Sequence, residues 1–119
     1  GTWAVVGLSG NPSRTAYAIA GLLQRRGKRI VPVHPSAPVV LGEQGYATLA
    51  DIPFPVDVVD VFRRPEHVAA IVEDCIRLKA PALWLQDGVV DDAAAQKARD
   101  AGLFTVMNRC MFRDRSTLG

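Results

Sequence analysis

Three features of the sequence predict an α/β fold of the Rossmann-like, doubly wound kind. Apolar runs alternate with helical patterns in the order β-α-β-loop-β-α-β-α-β. The runs are continuous and mainly apolar rather than alternating with polar residues, as buried parallel strands should be. The segments between them are long enough for the crossovers that parallel strands require. Right-handed crossovers then give a parallel five-stranded sheet in the order 3-2-1-4-5, with helices on both faces, within a single domain spanning residues 1–119.

Each element follows from a local signal. Residues 3–9 (WAVVGLS) form the first strand, with turn residues directly behind. A helix over 12–26 has Asn11 as its N-cap, Pro12 at its first position and Gly27 closing it. RIVPV at 29–33 is the second strand, where Pro32 removes one ladder donor and implies irregularity near the strand's end. Five of the eight prolines fall in or just before the connection 34–55, which contains one helical turn near ATLAD. VDVVDVF at 56–62 is the third strand. The helix 65–79 places Val68, Ile71, Val72, Cys75 and Ile76 at helical spacing. ALWLQ at 82–86 is the fourth strand, 91–101 a helix stopped by Gly102, and FTVMN at 104–108 the fifth strand. The tail CMFRDRSTLG reads as a last partial helix.

Composition narrows the function classes. At 49% hydrophobic and 22% charged residues, the chain is globular rather than disordered. A net charge of +2 does not indicate a nucleic-acid binder. No apolar run approaches the ~20 residues needed to span a bilayer. The opening Gly-Thr-Trp carries no signal-peptide pattern, so a cytoplasmic, reducing setting is expected. Two cysteines, Cys75 and Cys110, make neither a disulfide framework nor a zinc site, and Cys75 reads as a small buried apolar residue. Of the 14 basic residues 11 are arginine, whose planar fork suits phosphate or carboxylate.

In a doubly wound sheet the ligand lies beyond the carboxyl ends of the strands, next to strand 1. Gly7, Ser9, Gly10, Asn11, Ser13 and Arg14 follow that strand and suit an anion. The glycines let the backbone approach, the helix start carries partial positive charge, and the serines and arginine add donors. His34, Pro35 and Ser36 follow the second strand, with no Asp or Glu to hold the ribose of NAD. The turn offers G-x-x-G rather than the full G-x-G-x-x-G, and no Gly-Lys-Ser/Thr follows, so NAD and ATP both lose ground. After the third strand, Arg63 and Arg64 precede a helix, where cations oppose its dipole unless something anionic sits nearby. Phe62 beside them offers a ring to cover a base. Gln86, Asp87 and Gly88 follow the fourth strand, and Asn108 and Arg109 the fifth. The expected ligand carries several phosphates and a base.

The blocks WAVVGLSGNPSR, VPVHP, GYATLADIP, VDVVDVFRRPEHV, LWLQDGVV and NRC occur in this order from residue 3 to about 110. Together they resemble the small stand-alone CoA-binding proteins, which look like the N-terminal CoA-binding domain of the succinyl-CoA synthetase α-subunit. The resemblance implies a Rossmann-like fold with coenzyme A or an acyl-CoA as ligand. Its phosphate-binding turn carries over to Gly7, Ser9, Asn11, Ser13 and Arg14. Its adenine and 3′-phosphate region maps to His34, Pro35, Phe62, Arg63 and Arg64, and its pantetheine arm runs past Gln86 and Gly88. Asp87 departs from the pattern where an apolar residue is expected, as does Asn108 where relatives often have Asp.

In that family the ligase reaction uses a phosphorylated histidine and a nucleotide-binding partner outside this domain. The resemblance therefore implies a binding module rather than an enzyme. The residues point the same way. His34 reads as a ligand contact, His67 as a surface residue early in a helix, and no Ser-His-Asp or Cys-His pairing is legible. Asp57 and Asp60 read as hydrogen-bond partners of neighbouring loops rather than as an acid–base pair. Two alternatives stay open: a nucleotide (NAD)-dependent enzyme acting on the thioester, and a redox-sensing regulatory domain. In the latter, Cys110 beside Arg109 forms a mixed disulfide with CoA.

Overall fold

The computed structural model describes residues 1–86 and 88–107. Five strands, β1 (Thr2–Val6), β2 (Arg29–Val33), β3 (Val58–Val61), β4 (Ala82–Leu85) and β5 (Phe104–Met107), pair in parallel throughout. Three α-helices join them: α1 (Thr15–Arg25), α2 (Val68–Arg77) and α3 (Asp92–Asp100). Single 3₁₀ turns lie at Leu49–Asp51 and Pro65–His67.

Alternation along each strand divides the core in two. Trp3 and Val5 of β1 pack with Ile19, Ala20 and Leu23 of α1, while Ala4 and Val6 face the layer of α2 and α3 with Val72, Cys75 and Ala98. The doubly wound architecture expected of the sequence is present, with α1 on one face and α2 and α3 on the other. Both faces of the central strands are buried, which explains why their runs are apolar but for Asp60 of β3. Leu23 is fully buried, and burial of such a side chain stabilises by about 1.5–3 kcal/mol.

The sheet order is 2-1-3-4-5, which corrects the expected 3-2-1-4-5. That expectation set β3 outside β2, but β3 pairs with the opposite edge of β1. The reason lies on the outer side of β2. Tyr46 donates its backbone N–H to the Pro32 carbonyl (2.9 Å), and its own carbonyl accepts from the His34 N–H (3.0 Å). The connection therefore occupies this edge itself. Pro32, whose backbone nitrogen points outward there, has no donor to give a further strand. Because β2 is an edge strand, Pro32 does not interrupt pairing with β1 and causes no irregularity there. The connection is pinned further by Phe54, which packs edge-on to Tyr46 and lies 4.1 Å beneath the Arg29 guanidinium.

Two helix starts also differ from expectation. α1 begins at Thr15, so Asn11 is not its N-cap and Pro12 is not its first residue; the N-cap position is held by Arg14. Asn11 instead closes its own turn, its Oδ1 accepting from the Ser13 N–H (3.0 Å) and Ser13 Oγ (2.7 Å). The helix expected over 65–79 opens as the 3₁₀ turn before α2. α3 starts on Asp91, whose carboxylate accepts from the Ala94 N–H, and Gly27 and Gly102 follow α1 and α3 as expected. The helix expected in the tail lies outside the described residues.

Candidate functional site

The order 2-1-3-4-5 puts the topological switch between β1 and β3, where the chain turns from one face to the other. Two backbone bonds mark the fork. The Gly7 N–H donates to the Val33 carbonyl of β2 (2.8 Å), while the Val6 carbonyl accepts from the Phe62 N–H after β3 (2.9 Å). Gly7 has φ +98°, and a Cβ there would stand 2.8 Å from the Phe62 carbonyl oxygen, so the position admits only glycine. Leu8 then plunges into the core and anchors the turn leading to α1. No side chain caps the start of α1 and no acid lies in its first turn, so its partial positive charge faces the opening.

A cleft of about 580 Å³ opens at this fork. Gly7, Ser9, Arg14, Thr15 and Ala16 line it from the β1 side, His34 from the end of β2, and Phe62, Arg63, Arg64 and His67 from the segment after β3. Three guanidiniums and two imidazoles thus share one wall, with no carboxylate among the described lining residues. An adjoining crevice of about 190 Å³ shares His34, Arg63 and His67 and continues over Pro35, Ala47, Leu49 and Ile71 to Asp74.

Each imidazole turns one ring nitrogen towards a donor. The Ser36 backbone N–H donates to His34 Nδ1 (3.2 Å), so Nδ1 accepts and the ring's N–H is at Nε2. Ser36 Oγ stands 2.9 Å from the same nitrogen. Arg63 Nη2 approaches His67 Nε2 at 3.3 Å; since a guanidinium only donates, His67 accepts there and its N–H is at Nδ1.

Of the residues expected at the site, Gly7, Ser9, Arg14, His34, Phe62, Arg63 and Arg64 come together on the cleft wall, and Pro35 lines the crevice. Gly10, Asn11 and Ser13 belong to the same turn but do not line the wall. Gln86 is buried, its amide donating to Asp60 Oδ1 (2.8 Å), and neither it nor Gly88 borders the cleft. Asp60 is fully buried at the sheet's centre, and desolvation lifts its carboxyl from 3.8 to about 8. Asp57 lies away from the cleft, its Oδ2 accepting from the Thr2 N–H (2.6 Å). Both aspartates thus serve as internal hydrogen-bond partners. His67, Thr15 and Ala16 were not expected on the wall; the i, i+4 spacing of Arg63 and His67 was the available signal. Asp87, Asn108, Arg109 and Cys110 lie outside the described residues. Among those described, no group of His, Cys, Asp and Glu could hold a metal ion, and no helix is long and apolar enough to cross a membrane.

Comparison with known proteins bears on the family and the fold. Residues 1–115 match the family described as CoA binding domain. The chain is similar to YneT of Bacillus subtilis, 36% identical over 108 residues that span 91% of this chain and 80% of that one. A solved structure of a hypothetical protein from Pyrococcus horikoshii superposes with a TM-score of 0.91 at 37% identity, covering 98% of this chain and 82% of the other. A Thermus thermophilus protein does so with a TM-score of 0.91 at 32% identity, covering 99% and 90%. A dinucleotide-forming acetyl-coenzyme A synthetase 1 from Ca. Korarchaeum cryptofilum, at 21% identity and a TM-score of 0.77, shares the fold over 90% of this chain and 26% of its own.

Proposed function

The chain belongs to the CoA-binding domain family, and from that premise we propose that it holds coenzyme A or an acyl-CoA in the cleft between β1 and β3, without turning it over. One observation carries the reading: three arginines and two histidines meet at an uncapped helix start on a wall with no carboxylate among its described residues. Such a wall fits a ligand with several phosphates. The pyrophosphate lies over the turn 7–14, where the open space around Gly10 leaves the backbone approachable. Adenine and the 3′-phosphate lie towards His34, Pro35, Phe62, Arg63 and Arg64, and the pantetheine arm leaves past the turn at Gly88. Gln86 serves from beneath, holding the end of β4 to β3 through Asp60. His34 stands where a dinucleotide site usually places an acid for the ribose, which favours CoA over NAD.

Native mass spectrometry of the protein as purified, followed by calorimetric titration with CoA, 3′-dephospho-CoA and NAD, tests this. CoA binding that weakens when the 3′-phosphate is removed supports the reading. Binding of NAD without CoA would reject it and return the NAD-dependent enzyme to consideration.

A further inference from the structure

Charge on the cleft wall does not match the ligand unless one more group is recruited. Coenzyme A brings a pyrophosphate and a phosphomonoester, roughly four negative charges once the monoester is fully ionised. Arg14, Arg63 and Arg64 supply three positive ones. The two imidazoles are not equivalent candidates for the fourth. His34 Nδ1 is occupied by a backbone N–H that cannot rotate away, so this ring is fixed as an Nε2–H donor. His67 Nε2 is occupied only by Arg63, a side chain that shares the cleft and can turn to a phosphate.

Resting on the CoA reading, we infer that His67 is the residue that recognises the 3′-phosphomonoester in its dianionic form, taking up a proton as it does so. The phosphate accepts from Arg63, which leaves His67 Nε2. That nitrogen takes a proton from solvent and donates it as a hydrogen bond to a second phosphate oxygen. The charged and titratable groups around the ring are Arg63, Arg64 and Glu66 on its own segment, His34 from β2, Arg14 across the cleft and Asp74 in the adjoining crevice. Asp74 Oδ1 is engaged by Arg77 Nη2 at 2.9 Å, which leaves the ligand as the strongest new anion near the ring. 3′-Dephospho-CoA brings about two charges fewer, and the three arginines more than cover the remainder without a proton.

Calorimetric titration at pH 7.5 in buffers of different ionisation enthalpy counts the protons taken up per ligand bound. At this pH a phosphomonoester, with its second pKa near ~6, is already ionised and releases little. CoA should take up a clear fraction of a proton and 3′-dephospho-CoA none. His67→Asn should abolish the uptake and weaken CoA binding about tenfold, whereas His34→Asn should bind more weakly yet keep the uptake. CoA binding without buffer dependence, or uptake that survives in His67→Asn, overturns this inference and leaves the CoA reading standing. No CoA binding at all overturns both.

Discussion

The side-chain amide of Gln86 donates to Oδ1 of Asp60 across 2.8 Å, tying the carboxyl end of β4 to a fully buried carboxyl on β3. Asp60 lies between Val5 and Trp84 in the sheet register. It is therefore a polar group held within the layer that α1 covers, two residues before the cleft begins at Phe62.

Burial raises the Asp60 carboxyl from 3.8 to about 8, so the folded chain keeps a proton that the unfolded chain has already lost. Between those values unfolding releases a proton, and stability falls as pH rises, by about 1.4 kcal/mol per pH unit from this group, levelling off above the folded value. Asp60→Asn removes this contribution. Urea midpoints at pH 5 and pH 8 should drop with pH in the wild type and drop less in Asp60→Asn. Identical pH profiles would show that Asp60 ionises freely in the fold.

Gly7 and Gly10 separate a folding requirement from a binding one. Gly7→Ala forces a Cβ against the Phe62 backbone at positive φ and should cost about 1–3 kcal/mol in chemical denaturation. Nothing lies within 4 Å of a Cβ at Gly10. Gly10→Ala should keep stability within about 0.5 kcal/mol while weakening CoA, because the added methyl meets the phosphates. Unaltered affinity in Gly10→Ala would move the pyrophosphate away from this turn.

Arg14→Ala, Arg63→Ala and Arg64→Ala should each weaken CoA about 10–100-fold, the loss of one charge-assisted contact. The loss should shrink as salt is raised, since exposed charges are screened. Titrations at low and high salt check both points. An arginine whose removal leaves affinity unchanged at low salt does not touch the ligand.

Cys75 is fully buried, and burial with the neighbouring Asp74 charge pushes its thiol up to about 12. The thiolate that reacts with alkylating agents is thus scarce in the folded protein. Peptide mapping after brief iodoacetamide treatment should find Cys75 unmodified in the native protein and modified in urea. Rapid native labelling would mean that α2 opens readily.

The fold class was legible because strands buried on both faces need continuous apolar runs, and β1 and β4 have them, as does β3 but for Asp60. The strand order was not, because it depends on Tyr46 reaching across a long connection to occupy the edge that Pro32 leaves without a donor. Asn11-Pro12 reads as a helix start, yet Asn11 spends its side chain on Ser13 and α1 begins only at Thr15. The cleft residues from Gly7 to Arg64 are legible as followers of the carboxyl ends of parallel strands, which share one side of the sheet; that Phe62, Arg63 and Arg64 lie directly beside Gly7 depends on β3 pairing with β1. His67 was read as a surface residue; the 3₁₀ turn at Pro65–His67 swings its ring to Arg63 and onto the wall. In sequence Gln86 reads as a pantetheine contact; its bond to Asp60, distant in sequence, is visible only in three dimensions.

On the outer side of β2 the backbone has little left to offer a visiting strand. Pro32 carries no N–H, and its carbonyl is held by Tyr46. One margin of the sheet is thereby closed to polymerisation. Among the described residues the margin left for copies to join strand to strand is that of β5, and copies that each offer a single margin would end as a pair instead of running on into a fibre.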